Sequence, residues 1–255
     1  MFSVKRFFSL SGLLALLVVS AGMPLNVLAN HSWNGYHWFW DSTKLSAGKL
    51  PLLINDNTTL SAAWGAGTIL DSVIAKWNDG SAACGGATPC PLYSPLSLKK
   101  GMGHAFSDQR KCPPTLGQVE VCNTTYGRTG WLGIASVWAS GKHITQGTVK
   151  LNDTYFNTAT YNTLAWRNLV LCQEVGHTFG LDHQDTTFTN PNLGTCMDYT
   201  NSPGTNQYPN YHDFQQLALI YNHDDVTGGG NNAITTSPGR KVPPEVFDDM
   251  NEPSQ

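Results

Sequence analysis

The segment CQEVGHTFGLDH, residues 172–183, constrains the fold of this chain more than any other part of it. Gln173 and His177 are four residues apart, so on a helix their side chains lie on one face, one turn apart. Gly180 is a typical residue for ending a helix. His183 follows three residues later, where the chain can return to the same face. The pattern predicts a helix ending near Gly180 and a site where three polar side chains converge.

The residue types in this pattern suit a divalent metal ion. Imidazole nitrogens and an amide oxygen can both donate to such an ion. Glu174, beside the first donor, can hold a metal-bound water and remove its proton as a general base. Two histidines alone are more often hydrogen-bonded core or surface residues than metal ligands. The metal site is favoured because Glu174 and Gly180 also stand at the spacing that it requires. Gln173 is neutral like histidine but a harder donor, so we expect weaker Zn²⁺ affinity at an unchanged site charge.

The same segment resembles a known signature. It is similar to the HExxHxxGxxH motif of metzincin zinc peptidases, with glutamine replacing the first histidine. GTCMDY, residues 194–199, resembles the methionine turn below the metal of those enzymes. GLDH, WLGIASVW, GTVKLNDTYF and HDFQQLALIY are most similar to the matrixin branch, so the resemblance spans residues 45–223. More closely, CQEVGHTFGLDHQD together with GTCMDY resembles a secreted group of matrixin-like proteins that itself carries glutamine at the first ligand position, QExxHxxGxxH.

The resemblance implies an α+β catalytic domain. Its parts would be a twisted, mostly parallel sheet, an active-site helix, the methionine turn and a C-terminal helix. One catalytic Zn²⁺ would have three ligands: Gln173, His177 and His183. Glu174 would be the general base that activates water for peptide-bond hydrolysis, and Met197 would form the floor of the site. Tyr199 would either support the metal or the developing oxyanion, or pack in the core. An edge strand would bind an extended peptide by strand addition.

Residues 1–29 have the pattern of a secretory signal peptide. Lys5 and Arg6 precede an apolar run over residues 7–19, and residues 27–29 (VLA) fit a cleavage site. A membrane anchor is less favoured, because the run is shorter than the ~20 residues of a spanning helix. Without residues 1–29 the chain has 13 basic and 18 acidic side chains and no basic stripe, which argues against nucleic acid and membrane partners. We expect a secreted monomer whose partner is a protein or peptide substrate.

Six cysteines, all after residue 29, fit an oxidising compartment. Of the 15 possible pairings, proximity in sequence favours Cys84–Cys90 and Cys112–Cys122, which leaves Cys172–Cys196 as the third pair. The last pair would clamp the motif helix to the methionine turn. The alternative, a cysteine thiolate as a zinc ligand, is less favoured because the sequence contains no CxxC spacing.

Hydrophobic periodicity outlines the remaining elements. An apolar stripe at i, i+3, i+4 and i+7 predicts a helix over residues 61–78, formed by Leu70, Val73, Ile74 and Trp77. Further helices are predicted at residues 164–179, capped by Asn162 or Thr163, and at 212–222. Strands are predicted at residues 52–54, 119–121, 131–138 and 144–151, with otherwise irregular structure over 80–130. The predicted organisation is a signal peptide (1–29), a metallopeptidase domain (30–223) and a disordered tail (224–255).

Three interpretations of function remain open. The favoured one is a secreted zinc-dependent endopeptidase. The second is a catalytically inactive binding module that keeps the fold and has lost the first histidine ligand, and the third is another hydrolase or a non-catalytic metal protein. The other histidines give no second metal site in the sequence, since His104, His143 and His212 stand isolated and are expected at the surface. Asn57, Asn123 and Asn152 lie in sequons that can carry glycans where the host has the machinery.

Overall fold

The computed structural model describes residues 31–40, 49–59, 62–80, 94–104, 109–225 and 239–242. The predicted signal peptide and the predicted pair Cys84–Cys90 lie outside these residues. Among the described helices, none has both the length and the apolar character needed to cross a membrane.

A mostly parallel sheet organises the described residues. Its strands are β1 (His37–Trp38), β2 (Leu50–Asn57), β3 (Leu96–Met102), β4 (Gln118–Thr124), β5 (Gly133–Ser140), β6 (His143–Asn152) and β7 (Arg240–Lys241). The order across the sheet is β3-β2-β4-β6-β5-β7, and β1 also pairs with β6. Strands β3, β2, β4 and β6 are parallel, whereas β5 is antiparallel to β6. The predicted mixed architecture with a mostly parallel sheet is confirmed.

Four α-helices accompany the sheet in the described residues: α1 (Thr68–Asn78), α2 (Asp153–Phe156), α3 (Leu164–His177) and α4 (Tyr211–Ile220). The predicted apolar stripe of α1 is buried, and a 3₁₀ turn over Ala62–Gly67 precedes it. Thr163 caps α3, because its hydroxyl accepts a hydrogen bond from the Trp166 N–H. The other predicted cap, Asn162, instead accepts from Arg167.

Helix α3 lies in the interior of the domain. Every residue from Trp166 to His177 is buried, as in a helix surrounded by other elements rather than exposed on one face. The Trp77 indole of α1 donates to the Cys172 carbonyl at 3.2 Å, which fixes α1 against the middle of α3. Polar residues on α3 are therefore taken out of water, and each one needs a partner or a function.

Two sequence predictions are corrected by the structure. The region 80–130 is less irregular than predicted, because it contains all of β3 and all of β4 rather than one short strand. The prediction of a disordered tail does not hold for residues 240–242. There β7 pairs with Trp138 and Ala139 of β5, and Val242 N–H donates to the Val137 carbonyl at 3.0 Å.

The three sequon asparagines are structural. Each is buried, and each amide nitrogen donates a hydrogen bond inside the protein. Asn57 donates to Glu120 at 2.7 Å, Asn123 to Asp153 at 2.7 Å, and Asn152 to the Gly127 carbonyl at 2.9 Å. A glycan on any of these nitrogens would break the bond and could not be enclosed, so the folded protein has no acceptor at these positions.

Candidate active site

The two predicted imidazole ligands lie side by side. His177 Nε2 and His183 Nε2 are 3.1 Å apart, and their ring centroids are 4.5 Å apart. Ligands on a tetrahedral ion with bonds of about 2.0–2.1 Å are separated by roughly 3.3–3.4 Å. The pair is therefore spaced to share one ion.

The surroundings of His177 keep its ring neutral and oriented. Burial lowers the pKa of His177 well below its ordinary value, and the neighbouring His183 lowers it further. His177 Nδ1 lies 2.8 Å from the Leu181 carbonyl oxygen. A carbonyl only accepts hydrogen bonds, so Nδ1 carries the proton. The lone pair is then at Nε2, on the side that faces His183. A neutral ring held in this tautomer is the form that binds a metal.

The turn that returns the chain to His183 depends on Gly180. Its φ of +92° lies in the left-handed region, and a Cβ there would overlap the Tyr36 carbonyl oxygen. Residues 31–33 run alongside this turn, with Trp33 N–H donating to the Gly180 carbonyl at 2.8 Å and Asp182 N–H donating to the His31 carbonyl at 2.7 Å. The early chain thus fixes the path to His183, a contribution that the motif alone does not reveal.

Gln173 and Glu174 are both buried on α3, with 2% and 3% of their surface exposed. Gln173 Nε2 has no hydrogen-bond partner among the described residues. The oxygen and nitrogen of a glutamine amide exchange places by a half-turn of the group. A buried amide end without a hydrogen bond is unusual and calls for an explanation such as a bound ion. Gln173 lies one helical turn before His177, the position expected of a third donor to an ion shared by the two imidazoles.

Glu174 lies against the first residue of β5. A Cβ on Gly133 would be 2.7 Å from Glu174 Cγ and 2.9 Å from Glu174 Oε1. Only a glycine leaves room for the carboxylate at this distance from the strand backbone. Sequence reasoning missed this role of Gly133, since no spacing rule connects it to Glu174.

The edge of β5 beside Glu174 is open in the described part of the chain. The Val137 carbonyl points away from β6, since it accepts from Val242 N–H. Backbone groups alternate in direction along a strand, so those of Ala135 and Gly133 point the same way. Residues 133–136 pair with β6 on the other side, whereas β7 covers β5 at Trp138 and Ala139. An extended chain could therefore add to β5 at the segment whose face contacts Glu174.

The predicted methionine turn packs below α3. Met197 is fully buried, and its sulfur would be 2.7 Å from a Cβ on Gly176, the residue before His177. The Tyr199 ring lies 4.4 Å from the His183 ring and 4.9 Å from Phe188, so it packs on the second predicted imidazole. Two backbone hydrogen bonds connect this turn to the segment after His183: Gln184 N–H to the Met197 carbonyl and Tyr199 N–H to the Asp185 carbonyl.

Two of the three predicted disulfides are present in the described residues: Cys112–Cys122 and Cys172–Cys196. The second joins the residue before Gln173 to the residue before Met197, with Cα atoms 5.9 Å apart. It covalently ties the predicted ligand helix to the turn below it, as predicted for the pair left after the two proximal ones.

The isolated histidines have varied surroundings. His143 is not isolated in the fold, because its Nε2 lies 3.1 Å from Asp225 Oδ1 in a group that also contains His37 and His223. The prediction that no further histidines cluster was therefore wrong. His104 lies beside Glu120 at 3.2 Å with its side chain 45% exposed, and His212 stacks on His31. The group around Asp225 joins residues from both ends of the domain, so no local sequence pattern predicts it.

Comparison with known proteins gives little beyond this geometry. No family model matches the chain, and no curated protein matches it in sequence. The chain is similar to the solved structure "Crystal structure of myroilysin" with a TM-score of 0.32 and 10% sequence identity, over 79% of this chain and 97% of that one. A TM-score of this size does not establish a shared fold, so the argument for function depends on the site itself.

Proposed function

We propose that this protein is a secreted, zinc-dependent endopeptidase with a metzincin-like, matrixin-type site. One observation carries the proposal: the Glu174 carboxylate packs on the face of β5 at Gly133, the strand whose edge is open there, on the same helix as His177, whose Nε2 is 3.1 Å from that of His183. A general base, a pair of ligands and a surface for an extended chain thus come together. The disulfides support an oxidising compartment.

The substrate is a protein or peptide bound in extended form. Strand addition would use the outward backbone groups of Gly133 and Ala135 for hydrogen bonds. These bonds are independent of the substrate's side chains, so they position many sequences in the same way. Because Gly133 contacts Glu174, a peptide on this edge would present a carbonyl close to the carboxylate, which is the proximity that catalysis requires.

The chemistry divides between the ligands and Glu174. Gln173, His177 and His183 would hold the ion, which when bound polarises a carbonyl and makes water more acidic. Glu174 would accept the proton of the attacking water and then donate it to the leaving amine. Met197 and the Cys172–Cys196 disulfide would keep the ligand helix fixed during this exchange, because both connect α3 to the turn below it.

The second candidate function is an inactive binding module. Gln173 favours it, because an amide oxygen is a weaker zinc donor than the imidazole that the metzincin motif has there. Such a module would keep the open edge of β5 and bind an extended peptide without cleaving it.

A peptide-library digestion separates the two functions. Purified mature protein loaded with Zn²⁺ is incubated with the library, and new termini are identified by mass spectrometry. The endopeptidase account expects internal cleavages that a chelator abolishes and added Zn²⁺ restores. Folded, zinc-loaded protein that binds library peptides and produces no new termini would instead establish the binding module.

Gly133→Ala is expected to lower kcat/KM by about 10- to 100-fold, since a Cβ there would lie 2.5 Å from Val170 Cγ1 and 2.7 Å from Glu174 Cγ, which displaces both side chains from the strand. Zinc content should stay unchanged, because the substitution does not touch the ligands. Peptide cleavage rates and metal analysis together check this prediction. Gly204→Ala is the matched control, since a Cβ at Gly204 meets nothing within 4 Å. Equal activity of both variants would show that the contact between Gly133 and Glu174 has no catalytic role.

A further inference from the structure

We propose that His37, His223 and Asp225 form a second site for a divalent metal ion of the zinc class, separate from the candidate active site. His37 Nε2 and His223 Nε2 are 3.1 Å apart. Asp225 Oδ1 lies 3.4 Å from the first and 3.1 Å from the second. These three distances are close to the roughly 3.3–3.4 Å expected between ligands on one tetrahedral ion. Two neutral nitrogens and one carboxylate oxygen are a donor set that zinc accepts.

Groups behind two of the three ligands, His37 and Asp225, hold them in a metal-binding orientation. His37 Nδ1 lies 2.8 Å from the Gly35 carbonyl, which places the proton on Nδ1 and the lone pair on Nε2. Asp225 Oδ2 accepts from Trp40 N–H at 2.6 Å, so Oδ1 is the oxygen left facing the histidines. His143 Nε2 lies 3.1 Å from that same Oδ1 and is a further neighbour of the carboxylate. Oriented supports of this kind are characteristic of built metal sites.

The partial exposure of the three ligands would let an ion enter from solvent. The side chains of His37 and Asp225 are 10% and 7% exposed, whereas that of His223 is 44% exposed. The ion would lie at the rim of the protein, enclosed on two sides and reachable from water on the third. A carboxylate and imidazoles concentrated in a half-buried position are costly to desolvate unless they share a cation.

The proposed site joins the two ends of the described domain. His37 belongs to β1, and His223 follows α4, 186 residues later. Strand β1 in turn supports the end of the candidate active-site helix: the Trp38 indole donates to the Thr178 carbonyl at 2.7 Å, immediately after His177. The Tyr36 carbonyl packs on Gly180. An ion at this site would therefore clamp β1 and, through it, the turn that positions His183, which makes its role structural.

The test uses purified full-length mature protein without a histidine tag, loaded with Zn²⁺ alone and dialysed. Zinc per chain is measured by mass spectrometry, and Tm by calorimetry. We expect two ions in the wild type and one in each of His223→Ala and Asp225→Asn, with Tm lower by roughly 5–10 °C. Asp225→Asn keeps an oxygen for Trp40 N–H, so loss of the ion in this variant cannot be ascribed to misfolding. His104→Ala, which removes a histidine outside both clusters, should keep two ions.

His183→Ala distinguishes this inference from the proposed function. If the second site is right, His183→Ala keeps the ion that His223→Ala loses, whatever happens at the active site. A wild type with one ion that survives in both His223→Ala and Asp225→Asn would overturn the second site and leave the peptidase proposal intact. A single ion lost in His223→Ala and kept in His183→Ala would support the second site and contradict the catalytic one.

Discussion

Glu174→Gln is expected to lower kcat/KM for peptide cleavage by about 10²- to 10⁴-fold, the usual contribution of a positioned general base. Glutamine has the same shape as glutamate and fits the same space beside Gly133, but it cannot accept the proton of the attacking water. Zinc content and Tm should remain those of the wild type, since Glu174 is not placed among the ligands. Rates measured on a peptide identified by library digestion, together with metal analysis, check the prediction.

Glu174→Asp provides the matched comparison. It keeps a carboxylate but withdraws it by one methylene from β5, so its rate should fall between those of the wild type and Glu174→Gln. A Glu174→Gln protein that retains full activity and zinc would remove Glu174 from the mechanism. In that case another base, or the binding-module interpretation with a contaminating peptidase, would have to account for the cleavage.

Replacing the Cys172–Cys196 pair with alanines is expected to destabilise the protein by about 2–4 kcal/mol and to lower Tm by roughly 5–15 °C. The disulfide closes a loop with a sequence separation of 24, so its loss restores conformational freedom to the unfolded chain. It also releases α3 from the turn that carries Met197. We therefore expect weaker zinc retention as well as lower stability, measured by calorimetry and by dialysis against a chelator.

The Cys112–Cys122 pair is the control for this effect. Its sequence separation is only 10, and it lies between the β3–β4 connection and β4 rather than at the candidate site. Removing it should destabilise the protein while zinc retention by folded molecules stays unchanged. Equal zinc retention in both double variants would show that the Cys172–Cys196 bond stabilises the fold without positioning the ligands.

Local patterns predicted three of the four α-helices in the described residues and missed the short α2. The α1 stripe from Leu70 to Trp77 is buried as its spacing indicates, and Gly180 has the left-handed conformation expected of a residue after a helix. Residues 173–183 follow the helix and turn that their spacing predicts, because i, i+4 contacts and glycine termination are local properties. The local pattern therefore predicts that the two imidazoles come together, although residues 31–33 also hold the turn that leads to His183.

Long-range contacts are what the sequence could not supply. Strand β3 was missed because Lys99 and Lys100 are both exposed where a strand with one buried face would alternate. Exposed lysines are typical of a sheet edge, but they obscure the period-two pattern. The contact between Gly133 and Glu174, and the group around Asp225, depend on how distant segments pack. The group around Asp225 depends on the pairing of β1 with β6 and on the path of the chain after α4. Neither can be predicted from the residues next to each histidine in the sequence.

The central claim is that Gln173, His177 and His183 hold one divalent ion, and zinc titration in a His223→Ala background tests it most directly, since that background removes the second proposed site. The account predicts one equivalent of bound Zn²⁺ in this protein, none after His183→Ala is added, and tighter binding after Gln173→His is added, because imidazole is the better zinc donor. The account would be contradicted by folded protein that binds no zinc in this background, or by one equivalent that persists without His183.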